Sequence, residues 1–258
     1  LVCTDFDGNV KWRHKRGGFG GAQLVAVDNG IVYVYDSGQG NVIYRLDTKK
    51  GEYSNWKDAG EATLELGKIM AQFKPASADP KEEPAASGLA ATGGKLFVSY
   101  GSINAAWGKK QASGDLLLMI DGTTGKLIKS VKTENPGDIK TGADGKLYML
   151  GADSKVSIVN PETGESTPVI DGLKNARSVA ADKDGNIYVS ISDPENQIKV
   201  FDPSTGSGQA KPIRAIGKQG GRSLTGPWEK NGVRFAVGIK VDPKGKLWVM
   251  ECDNAPKR

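Results

Sequence analysis

One stretch constrains this chain more than any other: residues 178–203, SVAADKDGNIYVSISDPENQIKVFDP. Val179, Ala180 and Ala181 form a short apolar run. Asp184-Gly185 reads as a two-residue turn, because both central positions of such a turn favour φ > 0. Ile187, Val189 and Ile191 then alternate with Asn186, Tyr188, Ser190 and Ser192, which is the period of a strand. A polar loop over 193–196 leads to Ile198, Val200 and Phe201, and Asp202-Pro203 ends the unit. A few antiparallel strands cannot bury both of their faces alone, so copies of this unit must pack against one another.

Copies are present. Residues 23–47 read QLVAVDNGIVYVYDSGQGNVIYRLD, and residues 88–100 read GLAATGGKLFVSY, with the next strand delayed to DLLLMID at 115–121. Residues 138–161 follow, DIKTGADGKLYMLGADSKVSIVNP, and the last copy is AVGIKVDPKGKLWVME at 236–251. The turn glycines are Gly30, Gly94, Gly145, Gly185 and Gly245. They lie about 40 to about 65 residues apart, a spacing that fits propeller blades. The expected fold is all-β: a single β-propeller domain over 1–258 with four-stranded antiparallel blades. The count is five blades, or six if residues 58–85 contain a degenerate one. Residues 2–14 supply two outer strands and residues 236–251 two inner ones. Joined in one blade they would close the ring; the alternative is a fragment of a larger propeller, cut mid-blade.

The blades are expected at 22–57, with outer strands NVIYRLD and EYSNW, and at 86–133, 134–171 and 172–216. Residues 58–85 break the pattern. EATLELGKIMAQF, at 61–73, has helix formers with apolar Leu64, Ile69, Met70 and Phe73, and KPASADPKEEP after it reads as a loop. This insertion is either a surface decoration or a lid. The 35 glycines and 38% hydrophobic content suit many short strands and argue against a helical fold. No stretch approaches the roughly 20 apolar residues of a membrane span. The sequence starts in a strand without a signal peptide, as a mature or truncated product would.

Net charge is +5, with lysines such as Lys49, Lys50, Lys109, Lys110, Lys146 and Lys244 spread over turns. A nucleic-acid face needs a clustered basic stripe with interleaved aromatics. Only KWRHKR at 11–16 comes close, so nucleic acid is not the expected partner, and attraction to an acidic polymer or surface stays open.

The repeat stretches VAADKDGNIYVS…NQIKVFDP and GIKVDPKGKLWVMECDNAPKR resemble the NHL-repeat family and its relatives, the gluconolactonase/regucalcin-like propellers. The resemblance covers most of the chain outside 58–85. It implies the propeller fold; for function it implies a choice, since such propellers host lyases, lactonases and pure binding modules.

Three loops are expected on one face: 102–114, 218–235 and 251–258. They carry Asn104, Trp107, Arg222, Trp228, Glu229, Glu251, Asp253 and Asn254. Of these, Asn104, Trp107, Arg222, Trp228 and Glu229 are the candidate ligand-binding residues. Tryptophan rings can stack on an apolar ligand face while amides and charges fix its orientation. The alternative is that Trp107 and Trp228 plug gaps between blades. Trp12, Trp56 and Trp248 fall within strand patterns and are expected in the core.

His14 is the only histidine, which excludes three-histidine metal sites. Calcium takes several oxygen ligands. Glu251, Asp253 and Asn254 are the candidate ligands, with Asp193 and Asn196 as further donors. The Asp-x-x-Gly stretches at 5–8, 182–185 and 242–245 read as hairpin turns, because they lack the further acidic ligands of a calcium loop. No nucleophile elbow or phosphate-binding loop is present, and GGFGG at 17–21 precedes no helix. In a closed ring Cys3 and Cys252 fall on neighbouring strands. A disulfide between them needs Cα atoms within about 7 Å, and it would favour an extracellular or periplasmic setting; the alternative is two unpaired thiols.

The expected function is a non-catalytic binding or scaffolding module without a cofactor. It would take a carbohydrate or protein partner on its loop-rich face, as a monomer or as a domain of a larger protein. The alternative is a calcium-dependent lactonase-like hydrolase with an acidic site near the propeller axis.

Overall fold

The computed structural model describes residues 1–14, 19–76, 82–101, 114–203, 212–223 and 229–252. Its contacts divide the chain into two compact units, Leu1–Gly137 and Asp138–Arg258. The first unit begins with a hairpin of β1 (Val2–Thr4) and β2 (Val10–Arg13). A four-stranded meander follows: β3 (Ala22–Asp28), β4 (Ile31–Asp36), β5 (Val42–Asp47) and β6 (Thr63–Leu64). A one-and-a-half-turn helix, α1 (Leu66–Ala71), precedes a second meander of β7 (Gly88–Thr92), β8 (Lys95–Tyr100), β9 (Leu116–Asp121) and β10 (Leu127–Lys132). The second unit holds a meander of β11 (Ile139–Thr141), β12 (Leu147–Leu150), β13 (Val156–Val159) and β14 (Ser166–Ile170). Another comprises β15 (Ala176–Ala181), β16 (Ile187–Ile191), β17 (Gln197–Phe201) and β18 (Arg214–Ile216), and the unit closes with a hairpin of β19 (Ala236–Val241) and β20 (Leu247–Glu251).

All pairings are antiparallel, and four blades are complete rather than the five or six expected. Among the described residues, β1 pairs with β2 and β19 with β20, each in its own two-stranded sheet, so ring closure through one shared blade is not established. Of the two alternatives for the cysteines, the structure has the unpaired thiols. Cys3 lies opposite Trp12 within its hairpin, Cys252 is exposed past β20, and both are free.

The five turn glycines have φ between 75° and 85°, as the turn reading requires. The turn types differ from one another. Asn29-Gly30 and Gly93-Gly94 are two-residue turns with both φ positive, whereas at Asp184-Gly185 only the glycine is. There the loop is longer, because Asp182 organises it. The Asp182 carboxylate accepts the N–H groups of Asp184 and Asn186 at 3.0 and 2.9 Å. Asp5 and Asp242 do the same in their own Asp-x-x-Gly turns, so these three stretches are hairpin turns.

Several turn carboxylates sit below the usual range for this reason. Asp5 is lowered to about 2, chiefly by the Asn9 side chain. Asp47 and Asp121 are lowered chiefly by the backbone N–H of Lys50 and of Thr124, and Asp242 by the Trp248 indole N–H. A carboxylate with a depressed folded pKa stabilises the fold above its unfolded value, near 4, and loses that contribution as pH falls through the folded value. The melting temperature should therefore hold above about pH 4 and fall steadily between about pH 4 and 2. A flat profile across that window would show that these turns contribute nothing.

In the first unit one apolar cluster joins both blades and the helix: Tyr35 and Ile43 from one, Val98, Tyr100, Leu118 and Ile120 from the other, and Leu66 and Met70 from α1. The insertion is therefore packed into the core, not laid on the surface. Its first part also supplies the outermost strand of the first blade. EYSNW does so only in part: Tyr53 bridges Leu46 of β5, and then Asn55 Nδ2 donates to the Gly60 carbonyl and the Trp56 N–H to that of Glu61, which turns the chain and carries Trp56 inside. In the second unit β15 and β16 are buried on both faces. Val179, Ala181, Ile187 and Val189 face one cluster, while Ala180 and Tyr188 face another shared with Ile239 and Val241. The polar half of the alternation is buried as well, with Ser178 and Ser190 at 0% exposure and the Ser178 N–H bonded to the Ser190 hydroxyl at 3.0 Å.

Trp56 is fully buried, as expected; Trp248 is not, being 42% exposed, and Trp12 is half-buried. Trp248 lies on β20, whose sheet has two strands among the described residues. Val237, Val249 and Met250 of the same hairpin are exposed with it.

Candidate functional site

Of the candidate ligand-binding residues, Arg222 and Glu229 lie among the described residues, while Asn104, Trp107 and Trp228 lie outside them. Of the candidate calcium ligands, Glu251 is described, and Asp253 and Asn254 are not. Glu251 closes β20 and accepts the Arg234 N–H at 2.6 Å through Oε1, while its Oε2 is 3.8 Å from the Arg222 guanidinium. Arg222 is 2% exposed, and its carbonyl accepts from Arg234 Nη1 at 3.1 Å. Asn196 completes this knot: Oδ1 accepts the Phe235 N–H at 3.4 Å, and Nδ2 donates to Asp193 at 2.5 Å. Glu229 is paired with Lys218 at 2.9 Å on the surface. The structure thus brings Arg222, Glu251 and Asn196 together, but as ties between the 217–235 connection and the end of β20. Releasing Glu251 toward an ion would cost it the bond from the Arg234 N–H and its contact with the buried Arg222. Among the described residues no three His, Cys, Asp or Glu side chains gather as a metal group would.

A different site is built in the first unit, between β2 and the turn that follows β5. Trp12 on β2 and His14 just after it turn toward the neighbouring blade, while Lys11 and Arg13 at the alternate positions are exposed. The Trp12 indole N–H donates to the Thr48 carbonyl at 2.8 Å, and His14 Nδ1 donates to the Gly51 carbonyl at 2.8 Å. Gly51 is required here twice over: its φ is +69°, and a Cβ would come within 2.4 Å of the Trp12 ring. His14 meets the Tyr53 ring edge-on at 4.8 Å and Phe19 at 5.3 Å, and Tyr44 joins both, at 5.2 Å from Phe19 and 5.9 Å from Tyr53.

The turn itself is set by Asp47. Its carboxylate accepts the N–H groups of Lys49, Lys50 and Glu52 at 2.9, 2.7 and 3.0 Å. With the backbone so held, both lysine side chains project to solvent. The result is a groove of about 680 Å³ lined by residues 11–14 and 49–53. Four cations, Lys11, Arg13, Lys49 and Lys50, line it against one carboxylate, Glu52. Asp5 is 3.3 Å from Lys11, a contact that water screens because Lys11 is largely exposed. The run at 11–16 is legible as basic in the sequence. Its partner turn is 36 positions away, and nothing local links the two.

No family model matches the sequence, and no curated protein matches it. Solved structures do match. One is a protein of unknown function from Bacteroides thetaiotaomicron, at 16% identity and TM-score 0.59, over 95% of this chain and 59% of that one. A second is from a mitotic checkpoint complex, at 13% identity and TM-score 0.52, over 89% of this chain and 58% of that one. A third is the glutaminyl cyclase of Myxococcus xanthus, at 15% identity and TM-score 0.50, over 88% and 84%. The chain thus spans a little under three-fifths of the first two. At such identities the likeness shows fold alone. The fold is a β-propeller. The NHL-repeat and lactonase resemblance finds no support from a family model. No helix among the described residues is long and apolar enough to cross a membrane.

Proposed function

We propose that this chain is a non-catalytic binding module that takes a carbohydrate or protein partner. The groove between β2 and the β5 turn carries the reading: a half-open Tyr53 ring backed by other aromatics, with charged groups on both sides. Rings that contact an apolar ligand face beside polar groups that fix its orientation are the usual equipment of such sites. The sequence candidates Asn104, Trp107 and Trp228 belong to the same proposal as further ligand-contacting residues. A glycan and peptide array probed with labelled protein tests it. Binding is expected, with Tyr53→Ala at least about tenfold weaker, as loss of a contacting ring implies. A blank array would overturn the reading.

The hydrolase alternative would use Glu251, Asp253 and Asn254 around calcium. The bonds already held by Glu251 favour the binder over it. Calcium at 100-fold over its dissociation constant stabilises a folded protein by about 2.7 kcal/mol, which is a rise of several degrees. We expect melting temperatures in calcium and in EDTA to agree within about one degree; a rise of several degrees in calcium would instead support the hydrolase.

A further inference from the structure

We propose that the groove between β2 and the β5 turn binds a segment of an acidic polysaccharide; this rests on the binding-module reading and names its ligand class. Charge is the first argument. Lys11, Arg13, Lys49 and Lys50 line the groove with one carboxylate, Glu52, and the Asp5 contact to Lys11 lies outside the lining. All four cations are exposed. One such contact is weak in water, but a polymer that repeats its anion can meet several cations at once and gain by multivalency.

Preorganisation is the second argument. The three N–H groups bonded to Asp47 fix the backbone under Lys49 and Lys50. The indole and imidazole bonds to the carbonyls of Thr48 and Gly51 fix β2 against that turn. The spacing of the cations is thus set before a ligand arrives, which lowers the ordering cost of binding.

The rings decide between classes of polyanion. Trp12 is covered by Gly51, and His14 is spent on Tyr53 and Phe19. Tyr53, 36% exposed, is the ring that opens to solvent in this lining. Single-stranded nucleic acid binds through a row of open rings on which successive bases stack. One half-open ring beside four cations suits a sugar's C–H face with its carboxylate or sulfate groups.

The test is isothermal titration with four probes: oligogalacturonate, a heparin oligosaccharide, a neutral dextran oligosaccharide and oligo(dT). The first two separate carboxylated from sulfated ligands. At least one of them should bind, and raising salt from 50 to 200 mM should weaken it by about tenfold or more, as counterion release requires. Lys49→Glu/Lys50→Glu should abolish binding, and the neutral Lys49→Gln/Lys50→Gln should weaken it by about tenfold, from the loss of two cations. Both lysines bond through backbone N–H, so the variants should keep the wild-type melting temperature. Lys174→Glu/Lys183→Glu, exposed and not among the residues that line the groove, should stay within about twofold, because exposed charge outside the groove is screened by water and salt. Dextran binding that is indifferent to the charge reversals would overturn the acidic ligand and leave the binding module standing. Oligo(dT) binding tighter than both acidic glycans would overturn it in favour of nucleic acid. Failure of both acidic glycans with the wild-type protein would also overturn it; only a blank array as well would remove the underlying reading.

Discussion

Asp138→Ala should destabilise the protein by about 3–5 kcal/mol, the cost of removing one member of a buried charged network. Asp138 is 4% exposed and immediately precedes β11, the inner strand of its blade. Its Oδ2 accepts the Ser178 hydroxyl at 2.6 Å and the Val179 N–H at 3.2 Å, and its Oδ1 pairs with Lys140 at 3.1 Å. The Ser178 oxygen in turn accepts the Ile239 N–H at 3.2 Å. One carboxylate thus links the inner strands of two blades and of the β19–β20 hairpin within the second unit. Without it, the Ser178 hydroxyl, the Val179 N–H and Lys140 lose their acceptor together. Lys240 reports on the same place. Its ammonium donates to the Thr141 carbonyl, two residues beyond the Ile139 that begins β11. Urea unfolding would measure the loss, and hydrogen exchange should show faster exchange of the Val179 and Ile239 amides. Asp138→Asn keeps the shape and should cost less. A loss under about 1 kcal/mol for the alanine variant would show that this relay is replaceable.

Trp56→Ala should cost the first unit about 3–5 kcal/mol, in the range for a large aromatic removed from a core. Its ring is fully buried, lies 5.9 Å from Tyr33, and carries the Arg45 guanidinium 5.2 Å above it. Arg45 is 8% exposed, and its Nη1 donates to the Asn55 carbonyl. Removing the ring opens a cavity and also takes away the face on which a buried cation rests. The melting temperature should fall by roughly 10 °C. Trp248→Ala is the comparison: with 42% of its surface exposed, it should cost much less. Equal losses for the two would contradict the burial assigned to them.

The two variants also mark where sequence reading succeeds. Both tryptophans sit in strand-like runs, and both were expected in the core. Trp56 is buried, but because its segment turns inward below Arg45, not because it forms a strand. Trp248 is on the strand expected of it and stays exposed, in a sheet that has two strands among the described residues. The candidate site divides in the same way. KWRHKR is visible as a basic run with interleaved aromatics, but the Lys49-Lys50 turn that completes the groove is remote in sequence. Arg222 and Glu251 look like surface chemistry by residue type; they form a tie in which the arginine is buried and the carboxylate half-buried.

What the sequence by itself determined is local: the turn glycines, the aspartates that hold their own loops, and the strand period. Each follows from φ restrictions, short-range hydrogen bonds or side-chain alternation, all settled within a few residues. Only the tertiary structure decided which strands are covered. Thr63–Leu64 became the fourth strand of the first blade, with residues 52–56 keeping only the Tyr53 bridge to Leu46, and Ser178 and Ser190 went to 0% exposure on adjacent strands. Burial depends on what packs against a face, and that neighbour lies tens of residues away in the chain. The free cysteines follow the same rule, since a disulfide needs two particular strands to meet, and nothing within either hairpin states its neighbour.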